Sequence, residues 1–289
     1  MSTMIIDALP STPLLTGRLN KAMLQDASRL TRPQIRGLVD TYYQVQEYRK
    51  AAANQERAVE QGADDNPLVA YVVARLMALE HDIQRMMEVA TDAYTPSLWA
   101  KQLIGIGPCL SAGLLAHIDI TKAKTPSALW RFAGLDPTLV WEKGQKRPWN
   151  ARLKTLLWKC GQSFMKFSNH PDASIYATLY RQRKAQEQGR NADGAYAATA
   201  ATILESRRFR DGTTAKAAYA KGILPDGQID ARARRYAVKI FLQHYWHVAY
   251  EDHYQQPAPQ AYILAHDPKH TRAIPVPHWS LATGVTASE

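Results

Sequence analysis

The chain has 289 residues, of which 46% are hydrophobic and 21% charged, enough length and apolar content to bury a core and too much for a globally disordered polymer. Its 36 lysines and arginines against 26 aspartates and glutamates give a formal charge of +10, which favours an anionic partner. No apolar run approaches the roughly 18 residues of a spanning helix, and the first residues lack a basic-then-apolar signal layout, so a cytoplasmic protein with no membrane partner is expected.

Residues 1–32, with Pro10 and Pro13 and no sustained period, read as an arm holding one short helix. Over 33–57, Ile35, Leu38, Tyr42, Val45 and Tyr48 recur at the three-and-four spacing of an amphipathic helix. A polar turn at 62–67 follows, and helical periodicity resumes to about residue 90. Two long helices joined by a short turn run antiparallel, so 33–92 should form a coiled-coil-like helical hairpin in which Tyr42, Tyr43, Met86 and Met87 pack. Val72, Val73, Leu76, Leu79, Ile83 and Met87 exceed what a lone pair of helices covers, which predicts a homo-oligomer built through this hairpin.

Thr95 and Pro96 then open a helix leading into LIGIGP. Gly105 and Gly107 act as a hinge, and Pro108 suits the first turn of the next helix. In a helix-hairpin-helix, the amides of Ile106 and Gly107 with the first amides of that helix would face outward as donors for a phosphate. The same residues also suit a tight turn between two helices of a bundle. TPSALWRFAGLDP at 125–137 repeats the layout, with Thr125 as cap, Pro126 in the first turn and Gly134 as stop. Residues 150–167 place Leu153, Leu156, Leu157, Cys160, Phe164 and Phe167 on one face, with Arg152, Lys159 and Lys166 along a neighbouring edge. Further helices are expected at 171–188, 193–207, 212–221 and 228–254, before an extended Pro-rich tail. No alternating strand pattern occurs, so the expected fold is all-α: the arm 1–32, the hairpin 33–92, a helix-hairpin-helix domain 93–190, a helical extension 191–256 and the tail 257–289.

Charge is concentrated. Residues 143–190 carry 11 basic and 2 acidic side chains, whereas residues 1–92 carry 10 and 12. Trp141 and Trp149 flank Lys143, Lys146 and Arg147, an interleaving that suits stacking on unpaired bases beside phosphate contacts, or else anchors the loop to the core. Cys109 and Cys160 match no metal-ligand spacing and read as buried free thiols in a reducing compartment. His244 and His247 share a helix face but sit among Tyr245 and Trp246, which favours packing over a metal site. Asp136 and Glu142 lie among lysines and read as solvated ion pairs. No cofactor and no metal is expected.

In its order of GIGP, apolar helix, helix ending in GLDP, lysine- and glycine-containing loop and basic helix from Arg152 to Leu157, the chain resembles the C-terminal transposase domain of the insertion-sequence 110/116/902 family. The likeness covers about residues 95–185, and the preceding hairpin is similar to that family's linker coiled coil. Two departures stand out. The family places a RuvC-like domain with four metal-binding acidic residues ahead of the coiled coil, whereas about 30 residues without a strand precede the hairpin here. The family's nucleophilic serine lies in the loop that here reads TLVWEKGQKRPWN, where Trp141 and Glu142 fall at its place and Thr138 is the only hydroxyl, an unactivated one. The resemblance therefore implies a transposase-related, nucleoid-associated binder of DNA or structured RNA, from a mobile element or phage, without strand cleavage of its own. Its grip would use Gly105, Ile106, Gly107, Lys143, Lys146, Arg147, Trp149, Arg152, Lys159 and Lys166. Two alternatives are an active transposase component working with a separate catalytic chain or guide RNA, and a structural adaptor that oligomerises through 33–92.

Overall fold

The computed structural model describes residues 19–62, 67–260 and 273–285. Most of the N-terminal arm, the tip of the predicted polar turn and part of the tail therefore lie outside the described residues. The chain separates into two compact units, one ending at Ala90 and the other beginning at Thr91. Eleven helices are present among the described residues, with a two-stranded ladder of two residues each, so the fold is all-α.

In the first unit, α1 (Lys21–Ala27) is capped by Asn20, whose side chain accepts from the Met23 N–H at 3.0 Å. Helix α2 (Arg32–Glu60) starts where the Gln34 side chain reaches back to the Thr31 N–H at 2.8 Å, one half of a capping box. It buries Ile35, Val39, Tyr42 and Val45, and α3 (Pro67–Thr91) buries Val73, Ile83 and Met87. Arg49 and Glu80, at matching depth on the two helices, close an ion pair at 2.6 Å, as antiparallel partners would. Burial thus removes Val73, Ile83 and Met87 from the face predicted for self-association. Val72 and Leu79 stay exposed, joined by Leu68 and Tyr71 at 70% and 64% exposure.

The second unit is organised around α11 (Asp226–Tyr254), which packs against α4 (Thr95–Lys101), α6 (Pro126–Phe132), α7 (Ala151–Lys166) and α8 (Ile175–Ala192). Ala233, Ala237, Phe241, Tyr245 and Val248 recur at helical spacing on its buried face. Phe241 is the hub, with ring centroids 6.0 Å from Trp99, 5.3 Å from Phe164 and 5.2 Å from Tyr176, so a single side chain joins α4, α7 and α8. Close approach of α7 depends on Gly161, where a β-carbon would meet Val238 at 3.0 Å. The expected division after residue 190 therefore crosses a shared core: α8 runs on to Ala192, and α11 completes the packing that the 93–190 segment begins. Helices α9 (Ala197–Ser206) and α10 (Thr214–Ala220) gather around Tyr196, Tyr219, Leu224 and Ile229 in a smaller cluster.

The two capped segments differ by one residue, and the difference has a structural result. Trp99 follows Thr95 by four positions and is fully buried, whereas Trp130 follows Thr125 by five and turns about 100° further. It is half-buried, with the Lys239 ammonium 4.4 Å from its ring centroid. Thr125 caps α6 as expected, accepting from the Ala128 N–H, but α4 is preceded by Tyr94 and Thr95 lies inside the helix.

The described end of the tail is tied to the core. Trp99 donates to the Pro277 carbonyl at 2.7 Å, His244 Nε2 lies 3.1 Å from the Ile274 carbonyl, and Trp279 donates to buried Glu251 at 2.7 Å. There β1 (Trp279–Ser280) pairs antiparallel with β2 (Gly284–Val285), a ladder too short to leave an alternation in sequence or to alter the all-α class. Cys160 is buried, its thiol pushed up to about 12 by desolvation, while Cys109 is only half-buried.

Candidate nucleic-acid interface

The hinge before α5 (Pro108–His117) divides its tasks unequally between the two glycines. Gly105 has φ +96°, and a β-carbon there would lie 2.6 Å from Ser163 Oγ, which itself donates to the Gly105 carbonyl at 2.6 Å. Gly105 is thus required by backbone conformation and by the approach of α7. Gly107 has φ −86° and ψ −177°, ordinary extended values, and a β-carbon added there would meet nothing within 4 Å. Backbone conformation therefore gives no reason for glycine at 107, and of the two uses a hinge glycine can have only the close approach of another molecule remains there. Ile106 is also reassigned: its side chain is 2% exposed and its N–H donates to the Leu103 carbonyl at 2.9 Å, so neither is offered to a ligand. Gly107 alone of the three is exposed, its carbonyl accepting from Leu110 and Ser111 as the cap of α5.

The loop between α6 and α7 is pinned at both ends. Gly134, φ +67°, closes α6 in a Schellman arrangement, with Leu135 N–H bonded to Trp130 O and Gly134 N–H to Arg131 O. Trp149 lies against Gly134, where a β-carbon would come within 2.7 Å of the indole. Asn150 N–H donates to the Phe132 carbonyl at 2.8 Å while its side chain caps α7 by accepting from Leu153 N–H. Between these anchors Lys143, Lys146 and Arg147 are exposed, with Arg147 5.2 Å from the Trp141 ring centroid. Thr138 Oγ1 donates to Asp136 at 2.7 Å. The Thr138 N–H and O–H, with Arg131 beside them, hold the Asp136 carboxyl below its ordinary value, which makes it a poor base for activating that hydroxyl.

The loop and α7 together carry the longest cationic run. From Lys143 to Lys166 the chain has seven lysines and arginines and no carboxylate. Arg152, Lys159 and Lys166 line one edge of α7, with Lys159 half-buried and the other two exposed or nearly so. Along the opposite edge, beside α11, lie Lys154 and Trp158. The Lys154 ammonium sits 4.0 Å from the Trp149 ring centroid, and desolvation, then Arg235 and Arg147, lower its pKa. Arg235 is lowered in turn by desolvation and by Arg232 and Arg234, against a smaller opposing pull from Glu187. Neither Lys154 nor Arg235 forms an ion pair among the described residues, so like charges are gathered without a paired counter-charge.

No family model, no curated protein and no solved structure matches the chain. The geometry of the site therefore carries the functional reading.

The ten candidate residues do not converge on one point. Gly105 meets Ser163 and Phe167, whereas Gly134 meets Trp149 and Lys154, so the hinge and the basic loop lie at opposite ends of α7, about 13 Å apart along its axis. Two cations counted in the basic 143–190 segment prove structural. Arg183 binds buried Glu187 at 2.6 Å, together with Arg232 from α11 at 2.6 Å and the Tyr196 hydroxyl, and Lys184 joins Arg234 and Tyr180 on Asp230. The residues that sequence reading leaves out are Lys154, Trp158, Arg235 and Lys239. Helical periodicity shows that Arg232, Arg234 and Arg235 point in different directions, but only the docking of α11 on α7 tells which of them joins the loop. Near the C-terminal end of α11, His244 Nδ1 bonds the Tyr176 hydroxyl at 2.8 Å, and no group of three or more potential metal ligands occurs among the described residues.

Proposed function

We propose that the chain binds nucleic acid by tracking the phosphate backbone along α7, with the basic loop at one end and the glycine hinge at the other. The observation that carries this reading is the gathering of Arg147, Lys154 and Arg235. Lys154 and Arg235 are exposed, the two guanidiniums repel the lysine ammonium, and no carboxylate among the described residues pairs with it, a repulsion that a bound polyanion would offset. Lys143, Lys146, Arg152, Lys159 and Lys166 extend the same field, and the exposed Gly107 backbone would supply a contact at the far end. The scaffold is read as related to the transposase domain described above and as lacking strand cleavage of its own, since Thr138 has only the weakened base Asp136 beside it.

The test is a salt titration of affinity. Binding to duplex DNA should fall with a log–log slope of about −0.9 per neutralised phosphate, and changing Lys143, Lys146 and Arg147 together to glutamine should flatten the slope by up to about three units. A slope near zero at measurable affinity removes the electrostatic reading. Supercoiled plasmid with magnesium should stay intact; nicking would favour an active recombinase component instead. The exposed apolar stripe of α3 supports a second role, assembly of copies through the hairpin, which is compatible with the first.

A further inference from the structure

Seven tryptophans are present, and Trp158 stands apart from the rest. Trp99, Trp130, Trp141, Trp246 and Trp279 each donate the indole N–H to an acceptor within the chain. Trp149 lies on Gly134 beneath the Lys154 ammonium. Trp158 is 58% exposed on a helix whose opposite face is buried through Leu153, Leu156, Leu157, Cys160 and Phe164. It sits one turn beyond Lys154, on the side of α7 where Gly161 meets Val238 and Arg234 of α11. A large aromatic surface is thus held in water one turn from Lys154, which lies within electrostatic reach of Arg235 and Arg147.

We propose that this edge, between α7 and α11, binds an unpaired nucleic-acid strand, with Trp158 stacking on a base and Arg147, Lys154 and Arg235 holding its phosphates. The proposal rests on the nucleic-acid reading above and narrows it to the kind of strand. A duplex keeps its base faces stacked on one another and offers a tryptophan nothing but backbone and groove edges, whereas an unpaired base presents a free face, and stacking on it is insensitive to sequence. Rigidity favours the same ligand. A tryptophan has only two side-chain torsions to immobilise and Lys154 is held over Trp149, so little side-chain freedom is lost when a base and its phosphate dock. The source of the strand, DNA or RNA, is left to the experiment, because the chemistry of stacking and phosphate contact is common to both.

The full chain is titrated against a fluorescein-labelled single-stranded DNA of mixed sequence, the same sequence as RNA, and the corresponding DNA duplex, with anisotropy as readout at one fixed salt concentration. Trp158→Ala should weaken binding to an unpaired strand, DNA or RNA, by about 5- to 100-fold. Duplex affinity and the melting temperature should stay as in the parent, and Trp158→Phe should retain most of the affinity. Lys154→Gln with Arg235→Gln should weaken the same strand and reduce its salt dependence. Equal losses on duplex and single strand, or no loss in Trp158→Ala, overturns the proposal. Those outcomes leave the broader reading in place; failure of the parent protein to bind any of the three probes removes both.

Discussion

The two glycines of the hinge should respond in opposite ways to substitution. Gly105→Ala forces a β-carbon residue to φ +96° and places that carbon 2.6 Å from Ser163 Oγ. The backbone conformation costs about 1–2 kcal/mol. Displacing Ser163 from the Gly105 carbonyl removes a hydrogen bond worth about 1 kcal/mol, and with the residual overlap the total comes to about 2–4 kcal/mol. For a unit of this size that lowers the melting temperature by about 5–15 °C. Gly107→Ser meets nothing within 4 Å and keeps an extended backbone at the cap of α5, where serine is a good residue, so stability should be unchanged or slightly higher. All seven tryptophans lie after residue 91, so near-ultraviolet circular dichroism in the tryptophan band follows the melting of the second unit without interference from the first. A Gly105→Ala protein that melts with the parent, or a Gly107→Ser protein that melts as low as Gly105→Ala, would refute the division of roles. If Gly107→Ser keeps its melting temperature while losing nucleic-acid affinity, the demand for glycine at 107 comes from the ligand.

Three further outcomes can be checked. Glu187→Gln should destabilise by about 2–3 kcal/mol, less than for a fully enclosed pair because Arg183 and Arg232 reach water. Burial alone would raise the Glu187 pKa, but the Tyr196 and Arg232 hydrogen bonds and the charges of Arg232 and Arg183 hold it below the ordinary 4.5; the stabilisation is present above that value and lost as pH falls through the folded one, so acid melting curves of Glu187→Gln should be flatter there. His244, pushed down to about 4 by desolvation, binds its proton more readily in the unfolded chain, so stability should fall by up to about 3 kcal/mol as pH drops from 6.5 towards 4, a slope that His244→Gln removes. Light scattering should give a mass above the 32.4 kDa of one chain, reverting to it when Val72 and Leu79 are both changed to lysine; a mass of 32.4 kDa for the parent at every concentration rules out assembly through α3.

Local signals in the sequence are strong where a single element decides them. The spacing of Leu153, Leu156, Leu157, Cys160 and Phe164 marks the buried face of α7, Thr125 caps α6, and Gly134 stops it, because each depends on residues within one element. What depends on two elements is not legible. That Gly105 rather than Gly107 is constrained follows from Ser163, far away in sequence. Arg183 and Lys184 look like part of a basic surface until Glu187, Asp230 and α11 claim them. The stripe on α3 is overcounted because periodicity reveals an apolar face without saying how much of it α2 covers. Trp158 falls off the face marked by Leu153, Leu156, Leu157, Cys160 and Phe164, so periodicity places it toward solvent, and only the docking of α11 tells what lies beside it.

The position of α11 bears on how the chain reaches this state during synthesis. The inner faces of α4, α7 and α8 close on Phe241, Tyr245 and Trp246, which the ribosome delivers only after α9 and α10. At ordinary elongation rates the apolar face of α7 waits roughly 5–20 seconds for its partner. During that interval Leu156, Phe164 and Tyr176 are open to other nascent chains and to chaperones. Slow codons between α8 and α11 should therefore lower the soluble yield without altering a single residue of the finished protein, and supplying residues 226–254 in trans to a stalled chain should protect it.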